Sequence, residues 1–113
     1  MNMASDLVRS NLQLLRLLVR STPKFRRELI RNAPSEFILC LVECAVNILR
    51  NKDCKISDVS FKKLKKYQRI LRDIAREPHV ISKKRKELTT QRGGFLISYI
   101  VSELIDHILP KLV

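Results

Sequence analysis

The sequence predicts an all-α protein: a compact bundle of about four helices, then a basic segment, then a C-terminal amphipathic helix. Three observations predict it. Only two glycines and four prolines occur in 113 residues, too few for a turn-rich β fold. Apolar residues recur at helical spacing along most of the chain. The hydrophobic content is 45% with only 5% aromatics and no Trp, so a small core can be filled, mainly by Leu, Ile and Val. A chain of this length makes one folding unit. Within it the reading is a helical bundle over 1–80, a basic segment with a Gly-Gly break over 81–94, and an amphipathic helix over 95–113.

The first helix is expected to run from a cap at Ser5 or Asp6 to Arg20. Val8, Leu12, Leu15 and Val19 form its apolar stripe, widened by Leu14 and Leu18, with Arg9, Arg16 and Arg20 off it. Thr22 then caps a short second helix whose first position suits Pro23, because the missing N–H costs nothing there. Phe25 and Leu29 share one face of that helix, and Asn32 and Pro34 end it. From Phe37 to Leu49 nearly every residue is apolar. Glu36, Glu43, Asn47 and Arg50 leave a single narrow polar stripe, which places this third helix at the centre of the bundle. A polar loop over Asn51–Ile56 leads to Ser57, the expected cap of a fourth helix reaching Arg76. Phe61, Leu64, Tyr67, Ile70, Leu71 and Ile74 are its apolar positions, and Glu77-Pro78 ends it. A short basic turn or helix follows over Ser82–Leu88, and Thr89–Gly94 is expected to break the chain. The last helix runs from Phe95 to Leu109 with Ile97, Ile100, Val101, Leu104 and Ile108 on one side.

Charge narrows the function. The chain carries 23 Lys+Arg against 11 Asp+Glu, a net charge of +12, and such self-repulsion calls for a polyanionic partner. Residues 57–92 hold twelve basic and four acidic side chains, whereas residues 93–113 hold one and two. On a helical wheel Lys62, Lys65, Lys66, Arg69, Arg72 and Arg76 fall together opposite the apolar stripe of the fourth helix. A solvated face normally mixes signs to form i, i+4 pairs, and this one is nearly all positive. Lys83, Lys84, Arg85 and Lys86 form a second cluster, joined by Arg92. Together these cations predict phosphate binding by counterion release, to DNA or RNA, without base readout. The Lys83–Lys86 run also reads as a nuclear-localisation patch. No zinc-finger or RNP-type signature is present.

Catalytic and metal chemistry find little support. Cys40 and Cys44 lie four apart on the central helix, but the other potential zinc ligands, Cys54, His79 and His107, are scattered, so buried apolar thiols are the expectation. Neither histidine has a nucleophile nearby in the sequence, and there is no Gly-rich phosphate loop. The reading is a non-enzyme without metal or cofactor. Arg9 and Arg16 interrupt any signal-peptide core, and the three cysteines offer no disulfide framework, which points to an intracellular protein with reduced thiols. Both glycines of the chain stand together in Gln91-Arg92-Gly93-Gly94-Phe95. They read either as a hinge using positive φ or as an exposed extended site that a protease could grip.

Several stretches resemble a known family. Leu14-Leu15-Arg16, Pro23-Lys24-Phe25-Arg26, Glu43-Cys44-Ala45-Val46-Asn47-Ile48-Leu49 and Gln91-Arg92-Gly93-Gly94-Phe95-Leu96 are similar to the small basic proteins of Polinton/Maverick-type elements and adintovirus-like DNA viruses. The tail also resembles the adenovirus core protein X (mu) precursor, where a basic region runs into Arg-Gly-Gly and then an apolar segment. The resemblance implies a DNA-condensing virion core component of a viral or mobile element, found in the nucleus and the virion. It implies other virion proteins as partners, and maturation by an adenain-like protease at Gly93, Gly94 and Phe95. The alternative reading is a membrane-active or scaffold protein acting through the C-terminal amphipathic helix.

Overall fold

The computed structural model describes residues 3–50, 62 and 65–107, and all the regular structure among them is helical. The helices are α1 (Met3–Ser10), α2 (Leu12–Arg20), α3 (Pro23–Asn32), α4 (Ser35–Arg50), α5 (Gln68–Ala75), α6 (Ile81–Thr89) and α7 (Gln91–His107). The all-α class is the one the glycine-poor, periodic sequence predicts. The Asn51–Ile56 loop, the Ser57 cap, Phe61, Leu64 and the Ile108–Leu109 end of the last helix lie outside the described residues. Neither Ser5 nor Asp6 caps the first helix as expected: α1 begins at Met3 and both lie inside it.

The expected first helix is two helices. Asn11, itself buried, turns its side-chain Nδ2 back to the Leu7 carbonyl at 2.9 Å, and Ser10 Oγ donates to the Asp6 carbonyl at 2.9 Å. Short polar side chains that bond local carbonyls compete with the helical ladder. The Asn11 N–H reaches only Val8, three residues back, and the ladder resumes when the Leu15 N–H bonds the Asn11 carbonyl at 2.9 Å. The break lets α1 lie on α4 while α2 lies on α7.

Thr22 caps α3 as the sequence predicts, its hydroxyl accepting from the Phe25 N–H at 3.3 Å, with Pro23 in the first turn. The face buried by α3 differs from the expectation. Ile30 is fully enclosed and Leu29 half-buried, while Phe25 stands 53% exposed at the solvent end. Only the last turn of α3 reaches the core.

α4 supplies the centre. Phe37, Ile38, Cys40, Leu41, Val42, Cys44, Ala45 and Val46 are buried, which covers nearly the whole circumference of its first three turns. It packs against α1, α5, α6 and α7. A helix surrounded on that many sides needs apolar residues all round, and this explains its continuous hydrophobic run.

The largest correction concerns the Gly-Gly segment. No break occurs there, and α7 starts at Gln91, four residues before the expected Phe95. Thr90, in extended conformation, ends α6 and begins α7. Its hydroxyl accepts from the Gly93 N–H at 3.0 Å and donates to the Glu87 carbonyl at 2.8 Å. Neither glycine has positive φ, and both are buried in the first turn. Their lack of a side chain serves a close approach: a Cβ on Gly93 would run into the Glu87 carbonyl oxygen, and one on Gly94 would lie 3.2 Å from the Leu88 carbonyl oxygen. The hinge and the extended protease site both need a conformation that this segment does not adopt.

Nor does the tail form a separate part. Leu96, Ile97, Ile100, Val101 and Leu104 of α7 are buried in the same core as α4, and α7 contacts α2 through α6. The Cα radius of gyration of 12.8 Å is about that expected of one folded unit of this length. The boundaries drawn at residues 80 and 94 therefore do not separate independent bodies.

Candidate nucleic-acid interface

The basic side chains picked out in the sequence divide into two kinds. Lys62, Lys65, Lys66, Arg69, Arg72, Arg76, Lys83, Lys86 and Arg92 are exposed. Lys84 and Arg85 are not free to meet phosphate.

The first group sits where amphipathicity puts it. α5 buries Leu71 and Ile74 and presents Arg69, Arg72 and Arg76 to solvent. Continuity is lost at Tyr67, which leaves the helical region at φ −105° and ψ 15° and starts α5 after it. The expected single basic face is thus two short ones, Lys62, Lys65 and Lys66 before the turn and Arg69, Arg72 and Arg76 after it. Arg72 and Arg76 flank a hollow of about 340 Å³ floored by Val46, Leu49 and Ala75. Among the described residues only Arg76 of this group forms an ion pair, with Asp73 at 3.4 Å and both side chains half or more in water. Such a surface pair is weak enough to yield to a phosphate.

The second group holds helices together. Lys84 is 3% exposed, and its Nζ donates to the Asp73 carbonyl at 2.8 Å, with a Glu87 carboxylate oxygen 3.7 Å away. Arg85 Nη1 donates to the carbonyls of Ile30 at 2.8 Å, Arg31 at 3.2 Å and Ala33 at 2.6 Å. The last carbonyls of a helix lack their usual i+4 donors, and these two cations supply donors at the ends of α5 and α3, at Asp73 beside a longer 3.4 Å bond from the Arg76 N–H. The Lys83–Lys86 run therefore contributes its two end residues to the surface and its middle two to the fold.

Cations outside the sequence prediction lie near the α6–α7 corner. Arg26 and Arg27 of α3 line a cleft there with Leu88, Thr90, Gln91 and Gly94. Its volume of about 20 Å³ is room for roughly one water, too small for a ligand pocket. Burial and the neighbouring Arg27 pull the Arg26 guanidinium below its ordinary pKa. Lys24, Arg27 and Arg31 are exposed on α3, which packs on α6. The dense Lys24–Arg27 stretch is the available signal, but only the packing of α3 against α6 and α7 brings Arg26 and Arg27 to Leu88, Thr90 and Gly94.

Cys40 and Cys44 are buried free thiols on α4. Among the described residues no three His, Cys, Asp or Glu side chains gather in a way that could hold a metal ion. His79 Nε2 lies 3.2 Å from the Ala75 carbonyl at the end of α5. No single described helix is long and apolar enough to cross a membrane. The apolar face of α7, on which the membrane or scaffold alternative relies, is occupied by the core.

Comparison of the chain with protein-family models, with curated proteins and with solved structures finds no match.

Proposed function

We propose that this chain binds nucleic acid without sequence specificity, gripping phosphates through Lys62, Lys65, Lys66, Arg69, Arg72 and Arg76, with Lys83, Lys86 and Arg92 extending the surface. One observation carries the reading: nine exposed cations, of which only Arg76 has a carboxylate partner among the described residues. An unneutralised surface of this kind releases condensed counterions when it meets a polyanion, which supplies affinity but no base information. The resemblance to small basic proteins of viral and mobile elements supports DNA condensation in the nucleus or virion as the setting, with RNA as the other polyanion of the same chemistry.

The test is titration of a labelled duplex at several salt concentrations. Contact with about four to six phosphates gives a log–log salt slope of about −4 to −5. Replacing Lys62, Lys65, Lys66 and Arg69 with Glu abolishes binding and leaves helicity intact. A flat salt response, or unchanged binding by the quadruple variant, refutes the mechanism.

A further inference from the structure

Phe95 is out of place for a residue beside the core. Gly93, Gly94, Leu96 and Ile97 around it are buried, yet Phe95 itself is 47% exposed. It is also backed by a second ring. Tyr67 lies with its centroid 5.7 Å from that of Phe95, the planes tilted by 46°. That separation is within the range in which aromatic pairs attract. Both rings are fixed at their bases, Phe95 just past the Thr90-capped first turn of α7 and Tyr67 at the turn that starts α5.

Each ring has exposed cations close to it in the chain. Lys65 and Lys66 are exposed and directly precede Tyr67, and Arg92 is exposed one helical turn before Phe95 on α7. A half-open ring pair with exposed cations next to each ring in the chain has the make-up of surfaces that hold single-stranded nucleic acid. There the backbone follows the charge and a base stacks on the ring. A duplex cannot use such a ring, because its base faces are covered by their neighbours.

We infer that Phe95, supported by Tyr67, is a stacking platform for an unpaired base, so that the protein takes single-stranded nucleic acid in a mode different from duplex. The inference rests on the phosphate-binding reading above and adds base stacking to it. Phe25 and Leu17, the comparably exposed apolar side chains of α3 and α2, have no ring partner among the described residues and are not included.

The experiment measures binding of the full chain to oligo-dT, oligo-U, an abasic strand of the same length and a duplex. Phe95→Leu is expected to weaken oligo-dT binding about 5- to 100-fold, leaving the abasic strand and the duplex unchanged, and Phe95→Tyr restores it. Loss with oligo-U as well assigns the platform to both nucleic acids, and loss with only one assigns it to that one. With no Trp and two Tyr in the chain, tyrosine emission reports directly on the site. It falls when oligo-dT binds and does not fall in Tyr67→Phe. An equal loss of Phe95→Leu on all four ligands, or no loss on any strand that carries bases, overturns the platform while leaving phosphate binding standing. Failure of the unaltered protein to bind any of the four overturns both.

Discussion

The Nζ of Lys84 donates a hydrogen bond of 2.8 Å to the carbonyl oxygen of Asp73, in the last turn of α5. Its sequence neighbour Arg85 does the same for the end of α3, reaching the Ala33 carbonyl at 2.6 Å across 52 residues. Two adjacent cations thus close two different helices. Each places positive charge where the helix dipole is negative. α6 is therefore an internal strut with a basic outer edge.

Lys84→Met is expected to destabilise the fold by about 2 kcal/mol, the usual worth of a buried hydrogen bond to a charged group. The Asp73 carbonyl loses its side-chain donor and keeps only the 3.4 Å bond from the Arg76 N–H, and the Glu87 carboxylate loses its one ion-pair partner among the described residues. Chemical denaturation measures the loss. Nucleic-acid affinity of the folded variant stays within twofold of the unaltered protein, whereas Lys83→Met lowers affinity and leaves stability alone.

Arg85→Ala removes donors from three carbonyls at once and should cost roughly 2–3 kcal/mol. Arg85→Lys recovers only part of it, since an ammonium lacks the planar fork of a guanidinium. Amide exchange along the last turn of α3, from Ile30 to Ala33, should accelerate in both variants.

Gly93→Ala tests the tight corner. In an open helical position alanine is better than glycine by about 1 kcal/mol. Here its Cβ collides with the Glu87 backbone, so a loss of about 1–3 kcal/mol is expected instead. Gly94→Ala meets the Leu88 carbonyl at 3.2 Å and should cost less than Gly93→Ala. Thermal melts of the two variants rank them.

Cys44 carries a pH dependence. Its hydrogen bond with Cys40, its burial and the charge of Glu43 push its thiol well above the ordinary range. A folded-state pKa above the unfolded one gives stability that is complete below the unfolded thiol's pKa and fades as pH rises through the folded value. The decline begins above about pH 8.5. Urea midpoints between pH 7 and 10 should fall more steeply for the unaltered protein than for Cys44→Ala. The comparison is of slopes, because the alanine variant also loses core volume.

Legibility in the sequence follows the range of the cause. The α4 core was readable because its burial is written in consecutive residues, and the Thr22-Pro23 start of α3 because capping is local. The break at Asn11 was not read from the hydrophobic stripe, since Val8, Leu15 and Leu18 keep the period across it. A side-chain bond four residues back sets that break. Gly93-Gly94 looked like a flexible site because glycine tolerates many conformations. Its actual reason, the nearness of the Glu87 carbonyl, is a tertiary fact. The burial of Lys84 is illegible for the same reason: nothing in Lys83-Lys84-Arg85-Lys86 marks which lysine faces inward, and lysine is rarely buried at all. For the proposed interface, the sequence picked out the exposed cations of α5 but did not pair Tyr67 with Phe95, which are 28 positions apart.

Thr90 alone joins α6 to α7, and its hydroxyl bonds both helices. A one-residue joint with no slack cannot fold back or unwind on one side only. Protection against amide exchange should therefore rise and fall together across Ile81–His107, because opening either helix strips the bonds of the other. A polyanion pulling on Lys83, Lys86 or Arg92 then loads the core itself, and no ordering of a loose arm is needed before the grip becomes firm.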